Sequence, residues 1–552
     1  MRFLNLYIIL FFIFSLDIQA QEQISSTKVD VYDKYSSEIA NPVRLNDKAI
    51  YLDTFQLDKS QEYKVINFPV RTGYSVRPLK AAKMKLGKPL HYYSNHAFFS
   101  FGNKLGVSTN FSYSNSLSDH QSVATLFNHD SYKFQSTDKN AVNGKSSSLY
   151  VYYKAYDQKN IYRLRYLYDR SIFNSYGHKI EIDEDNIRNR FSYNKVSFSL
   201  ESRDLNNERF KHNTSFFLSD LNERSENRAH LSTLIETRIK SYPINIDFSF
   251  DNFTNYNSQQ QLAGVRSSSH NMIGLNSSVG ASKFDIDFDI SIMIDYETGS
   301  GLEILPLIEM SKELVKGILF VSAGVKEIKH RNTYYTLSLE NPFIYSLGTN
   351  QNYIKNFTQD LRTTAEKCLF FKFKNVLSKN ENFSTDIKIG YVENLAFFDN
   401  YSINEYNRFL VFYKDVFQLN TKVVYNKDFN KLISLSLSGD YYYWSKEIPH
   451  KPKILIQLSS PINLRNKLKI YPILKYNGKR FSDPPIYIAS EYGVDYYELD
   501  SRLNFDLVAH YYYSKQFSGT VSIQNLFNSK KEIWRGYEDI GFLAKIGLKY
   551  SF

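Results

Sequence analysis

The chain ends Phe542-Leu543-Ala544-Lys545-Ile546-Gly547-Leu548-Lys549-Tyr550-Ser551-Phe552. Phe542, Ala544, Ile546, Leu548, Tyr550 and Phe552 share one parity, and Leu543, Lys545, Gly547, Lys549 and Ser551 the other. Successive side chains of a β-strand point to opposite faces, so this segment has one greasy face and one mostly polar face. Its last residue is an aromatic in register with the greasy face. Such a strand suits the closure of a cylinder in a bacterial outer membrane, with the terminal aromatic in the interfacial girdle. Phe542, Ile546, Leu548, Tyr550 and Phe552 are therefore the expected lipid side of a barrel-closing strand.

The same alternation recurs upstream. Phe284, Ile286, Phe288, Ile290, Ile292, Ile294 and Tyr296 alternate with Asp285, Asp287, Asp289, Ser291, Met293 and Asp295. Ile433, Leu435, Leu437, Gly439, Tyr441 and Tyr443 alternate with Ser434, Ser436, Ser438 and Asp440. Such runs match the 9–11 residues that a tilted membrane-spanning strand needs. Short spacers, such as Asp157-Gln158-Lys159 and Ser514-Lys515-Gln516, alternate with longer ones along most of the chain. The longer spacers include Asn128 to Lys145, Glu327 to Glu366, Glu393 to Asn407 and Arg480 to Ser501. Short periplasmic turns and long external loops are the pattern of outer-membrane barrels. The fold class is all-β, a transmembrane antiparallel β-barrel of about 22 strands across residues 93–552. Leu410 to Tyr413 and Gln418 to Tyr425 read as one strand or as two, which alters the parity.

The N-terminus agrees with export. Arg2 precedes an apolar run from Phe3 to Leu16, broken by Asn5 and Ser15, and Ala20 offers a small residue at a cut. Residues 1–20 read as a signal peptide. Residues 21–92 are polar, hold Pro42, Pro69, Pro78 and Pro89, and lack sustained alternation. They are expected to be a periplasmic N-terminal segment, either a tail or a partial plug.

Composition fits a barrel. Mean hydropathy is -0.42, yet aromatics are 16% of the chain, with 45 Tyr and 42 Phe against 2 Trp. Half of each barrel strand faces water, so the mean stays low while the outer face is aromatic and branched. The single cysteine, Cys368, excludes an internal disulfide. The net charge of +11 is scattered rather than clustered, which argues against nucleic acid. The expected partners are outer-membrane lipid and lipopolysaccharide, the barrel-assembly machinery during insertion, and a periplasmic or surface protein.

Ile523-Gln524-Asn525-Leu526-Phe527-Asn528, followed by Gly541 to Phe552, resembles the last two strands of TonB-dependent receptors. That resemblance covers residues 523–552 and implies a 22-stranded outer-membrane barrel concerned with solute transport. Tyr74 to Lys85, followed by Phe101-Gly102-Asn103, is similar to the start of plug-less receptor-like barrels of Bacteroidota. The family's globular plug exceeds the length of residues 21–92, so dependence on TonB is not implied. The alternative class is a non-transporting scaffold that anchors a periplasmic or cell-surface partner.

The chemical candidates are charges on strand faces. Asp285, Asp287, Asp289 and Asp295 share a parity, with neighbours roughly 7 Å apart along the strand. They form either a cation-attracting stripe in the lumen or a polar lining paired with Lys and Arg of adjacent strands. Arg163 and Arg165 share a face opposite Tyr162, Leu164 and Tyr166 and are candidate counter-charges. Tyr441 to Trp444 read as girdle residues. No catalytic, metal or cofactor motif is present: the His residues are dispersed and Gly-x-Ser-x-Gly is absent. No enzymatic activity is expected.

Overall fold

The computed structural model describes residues 95–552, apart from 136–140, 177–186, 204–209, 223–225, 241, 256–267, 345–360, 400–407 and 483–496. The expected signal peptide, residues 1–20, and the expected periplasmic segment, residues 21–92, lie outside the described residues. The first strands are β1 (His96–Gly102), β2 (Val107–Ser118), β3 (Gln121–Gln135), β4 (Ala141–Tyr156), β5 (Asn160–Asn174) and β6 (Arg188–Ser202). Then come β7 (Phe210–Leu221), β8 (Glu226–Ile239), β9 (Tyr242–Asn255), β10 (Ser268–Lys283), β11 (Ile286–Glu297), β12 (Gly301–Val315) and β13 (Leu319–Arg331). A short helix, α1 (Tyr334–Glu340), precedes β14 (Thr363–Ser378), β15 (Glu381–Asp399), β16 (Leu410–Asp428) and β17 (Ser434–Trp444). The chain finishes with β18 (Ile454–Ser459), β19 (Ile462–Leu464), β20 (Leu468–Asn477), β21 (Arg480–Ser482), β22 (Tyr497–Leu499), β23 (Arg502–Tyr512), β24 (Phe517–Gln524), β25 (Glu532–Trp534), β26 (Tyr537–Glu538) and β27 (Leu543–Ser551).

All but β21, β22, β25 and β26 form one antiparallel sheet. β18 and β19 both pair with β20 and are two parts of one stave, interrupted at Pro461, which has no N–H to donate. The sheet is thus a ring of 22 staves. β27 lies between β24 and β1, and its pairing with β1, from His96↔Ser551 to Gly102↔Lys545, closes the ring. Closure pairs the first and last strands with each other, so neither end of the sheet is left as an open edge. A Cβ on Gly547 would stand 2.6 Å from Ser100 Cβ and 2.7 Å from Phe99 O, so glycine lets the closing strands approach. Asn525 and Asn528, both with positive φ, shape the turn out of β24. Asn528 Oδ1 accepts from Phe542 N at 2.9 Å, which aims the chain into the closing strand.

One parity of each stave is apolar and exposed: Phe99 and Phe101, Phe216 and Leu218, Ile290 and Ile292, Ile546 and Leu548. The other parity carries the polar side chains and defines the lumen wall. Asp285 departs from the expected row. With Phe284 it forms a two-residue turn, φ 57° and 55°, ahead of β11. Two consecutive left-handed residues are what a tight hairpin turn demands, so the apolar-polar alternation through 284–285 was a turn rather than strand.

The strands also run beyond the expected spans. β3 reaches Gln135, β13 reaches Arg331, and β15 and β16 have 19 residues each. Stretches expected as loops within Asn128 to Lys145, Glu327 to Glu366 and Glu393 to Asn407 are therefore partly paired strand. Beyond the hydrocarbon zone no lipid requires an apolar outer face, so pairing continues after the alternation fades. Leu410 to Tyr425 is one continuous strand for the same reason.

The outer halves of β13–β16 leave the wall. Pairing of β12 with β13 stops at Ile308↔Val325, although β12 stays paired with β11 up to Gly301. Above that point Lys329 reaches Asp295 and Glu303, Arg331 reaches Glu297, and Tyr334 N reaches Glu226 on β8. The β13–β14 hairpin thus crosses the lumen faces of β12 to β8. Above their bulge, β15 and β16 are buried on both faces, with Ala396, Phe398 and Val411 on one side and Phe397 and Phe412 on the other.

Candidate functional site

Two arrangements occupy the lumen side: an aromatic cap at the long-loop end and a charged wall below it. The cap grows from α1. Thr333 is its N-cap, and Thr333 and Thr336 exchange backbone-to-hydroxyl bonds at 3.1 Å, a reciprocal capping box. The Glu226 carboxyl, whose pKa burial raises to about 7, accepts from Tyr334 N at 2.7 Å at the helix start. Tyr335 stacks on Tyr193 of β6 at 3.6 Å and donates to Asp169 of β5 at 3.1 Å.

From there one apolar cluster crosses the mouth. Phe343 stacks on Tyr537 at 3.7 Å, and Tyr537 meets Tyr176 edge-on at 4.7 Å. Phe409, 0% exposed, packs on Tyr537 and on Trp534, and Trp534 packs on Phe398 of β15. The cluster includes Phe191 of β6 and Leu221 of β7 on one side and Phe398 and Val411 of β15 and β16 on the other. Nine staves lie between β5 and β15 in a ring of 22, so the inturned tops of β15 and β16 pack against strands from the opposite side of the ring. Each fully buried aromatic contributes about 1.5–3 kcal/mol, and the set forms a cohesive bridge.

Charges are embedded in the cap. Arg480 donates Nη2 to Glu532 O at 2.7 Å and Nη1 to Ile533 O, which ties the β21 segment to the β25 segment. Burial beside Arg502 lowers its pKa to about 10. His450 is 4% exposed, packs on Phe409 at 5.4 Å and on Trp534 at 5.1 Å, and neither ring nitrogen has a hydrogen-bond partner among the described residues. Burial first, then the nearby Arg535 and Arg480, push its pKa down to about 3, so it stays neutral.

The wall below is cross-linked by ion pairs. Arg228 Nε donates to Asp251 at 2.7 Å, and Arg228 covers the rings of Phe217 and Phe253. His270 bonds Glu297 at 2.7 Å. Lys329 bonds Glu303 at 2.8 Å and Asp295 at 3.0 Å, and Lys367 bonds Glu303 at 2.8 Å and Glu393 at 3.2 Å.

The sequence candidates are dispersed along this wall. Asp295 is paired with Lys329. Asp287 and Asp289 line a recess of about 720 Å³ near the short-turn end, together with Glu309 and Ser311 of β12. Arg163, paired with Glu201, and Arg165 line another of about 450 Å³ with His230, Asp247 and four serines. The Arg pair on β5 and the Asp row on β11 are not brought together. Phe542 precedes the closing strand, and Ile546, Leu548, Tyr550 and Phe552 share its exposed face, with Tyr550 and Phe552 stacked at 5.7 Å. The Tyr441 to Trp444 run divides: Tyr441 and Tyr443 are exposed, whereas Tyr442 stacks on the buried Trp444 at 5.3 Å. The cap residues escaped sequence reading. A tryptophan and a tyrosine in the external connection Ile533-Trp534-Arg535-Gly536-Tyr537 were the available signal, since lipid contact cannot explain them there.

A closed ring of 22 staves, apolar outside and ion-paired inside, defines an outer-membrane β-barrel with the architecture of TonB-dependent receptors. The likeness first visible in the closing strands thus extends, as a fold, around the whole barrel. The siderophore receptor PirA from Acinetobacter baumannii superposes with a TM-score of 0.62 at 12% identity, over 83% of this chain and 80% of that one. A variant of the ferric enterobactin receptor PfeA from Pseudomonas aeruginosa gives 0.60 at 10%, over 83% and 80%. The FrpB iron transporter from Neisseria meningitidis gives 0.60 at 9%, over 84% and 82%. No protein-family model and no curated sequence matches the chain.

Proposed function

We propose that the protein moves a solute across the outer membrane through its lumen, with the aromatic cap as the outer gate. The observation that carries this reading is the contiguous cluster from Tyr193 through Tyr537 to Phe398, which joins opposite walls above a lumen lined by ionisable groups. A barrel this wide must be plugged or left as a channel. Neighbours named as receptors for siderophores or transporters of iron support a transport role. In this reading residues 1–20 are a signal peptide, and residues 21–92 are a periplasmic segment acting as a tail or partial plug. Asp287, Asp289, Arg163 and Arg165 line the solute path. Outer-membrane lipid and lipopolysaccharide surround the exposed apolar band, and the assembly machinery inserts the chain.

The experiment is planar-bilayer conductance of the full-length protein beside a Trp534→Ala, Tyr537→Ala double variant. A quiet parent and a conducting variant support a gated path. Silence from both, with heat-resistant folded barrels, overturns the reading in favour of a scaffold.

A further inference from the structure

Departure of the β13–β14 hairpin into the lumen leaves a split in the wall. Among the described residues, Gly301 to Leu307 of β12 lack pairing with β13, while Lys326 to Arg331 of β13 pair with β14. Pro306 stands in the unpaired stretch, where a missing N–H costs no ladder bond on that side. The two lips are tied by side chains instead: Lys329 to Asp295 and Glu303, and Lys367 to Glu303. Ties between charged side chains exchange with water and ions far more readily than a backbone ladder does. The outer side of the split is greasy, with Leu302 66% and Ile304 57% exposed. Its inner side carries charges of both signs.

We propose that the β12–β13 split is a lateral doorway through which an amphiphile, with a charged head and an apolar tail, passes between the outer leaflet and the lumen. The lumen-side charges receive the head while the exposed leucine and isoleucine face the tail. The cap bridges the axial mouth, so the split offers the membrane-bound molecule a separate way in. The inference rests on the solute-path reading for its destination but uses a different opening.

The test uses full-length protein in liposomes, with Cys368→Ala removing the native thiol and Glu303→Cys and Lys329→Cys placed on the two lips. The probe is a fluorescent lysophospholipid in the outer leaflet, trapped on arrival by albumin inside the vesicle. Ion conductance is read in parallel. Loss of the ties should raise probe transfer about tenfold, the scale of a weakened partly buried ion-pair set. A short bismaleimide bridging the lips should return transfer to the protein-free rate and leave conductance unchanged. A Glu303→Gln, Lys329→Gln pair, with heat-resistant migration verified, should also raise transfer and guards against a cysteine artefact. Transfer that stays at the protein-free rate in the open variants, or that the bridge leaves untouched, overturns the doorway. Conductance stands or falls separately and reports on the solute path itself.

Discussion

Tyr176 and Tyr537 meet edge to face with ring centroids 4.7 Å apart, and Tyr176 donates its hydroxyl to Glu538 O at 2.7 Å. One residue follows β5 and the other precedes β27, so the contact spans the mouth between connections remote in sequence. Tyr537 is 0% exposed, and burial pushes its hydroxyl pKa upward, which keeps it neutral.

Tyr537→Ala should therefore remove the central piece of the bridge. Truncating a fully buried aromatic costs about 3–5 kcal/mol. The expected result is a cap that opens while the barrel stays folded. Increased protease cutting within 532–538, with unchanged heat-resistant migration, is the measurement; an uncut loop would contradict it.

His450 makes the cap acid-sensitive. Its folded pKa of about 3 lies below the ordinary 6.5. The cap's stability from this residue is complete above pH 6.5 and is lost as pH falls from there towards 3, because the released state binds the proton more readily. At pH 5 the loss is about 2 kcal/mol. Conductance or loop proteolysis should rise between pH 6.5 and 4, and His450→Phe should flatten that rise. The same rise in the variant would assign the effect to other groups.

Glu226 anchors α1 through the backbone N–H of Tyr334 at 2.7 Å and is 6% exposed. Glu226→Ala removes this acceptor from the backbone N–H groups of Tyr334 and Tyr335, at a cost of about 1–3 kcal/mol. Hydrogen exchange at Tyr334 and Tyr335 should accelerate without change in the barrel strands. Unaltered exchange at both amides would show the anchor to be dispensable.

Gly547→Val tests the closing seam. The added Cβ lands 2.6 Å from Ser100 Cβ and 2.7 Å from a backbone oxygen of Phe99. Closure between β1 and β27 should fail, with loss of the heat-resistant band on electrophoresis. Gly519→Val, where a Cβ meets nothing within 4 Å, should retain it.

Most of the wall was legible because lipid imposes it. Ile290, Ile292 and Ile294 must alternate with polar residues wherever one strand face meets hydrocarbon, and that period of two is visible in any short window. Asp285 shows where the rule misleads, since a tight turn can carry the alternation past the strand end. The cap was not legible, because Tyr193, Phe343, Phe409 and Tyr537 obey no common period. Nor was Trp444, whose run looks like an interface girdle until one face is seen to pack inward.

The sequence by itself determined a membrane barrel of about 22 strands, the face each strand turns to lipid, and the strand that closes it. These follow from local alternation under one uniform solvent constraint. Only the tertiary structure decided that the outer halves of β13–β16 turn inward, that Lys329 meets Asp295 and Glu303, and that an aromatic bridge crosses the mouth. Those contacts join strands and loops far apart in the chain, and their energy comes from packing and desolvation that no local pattern encodes.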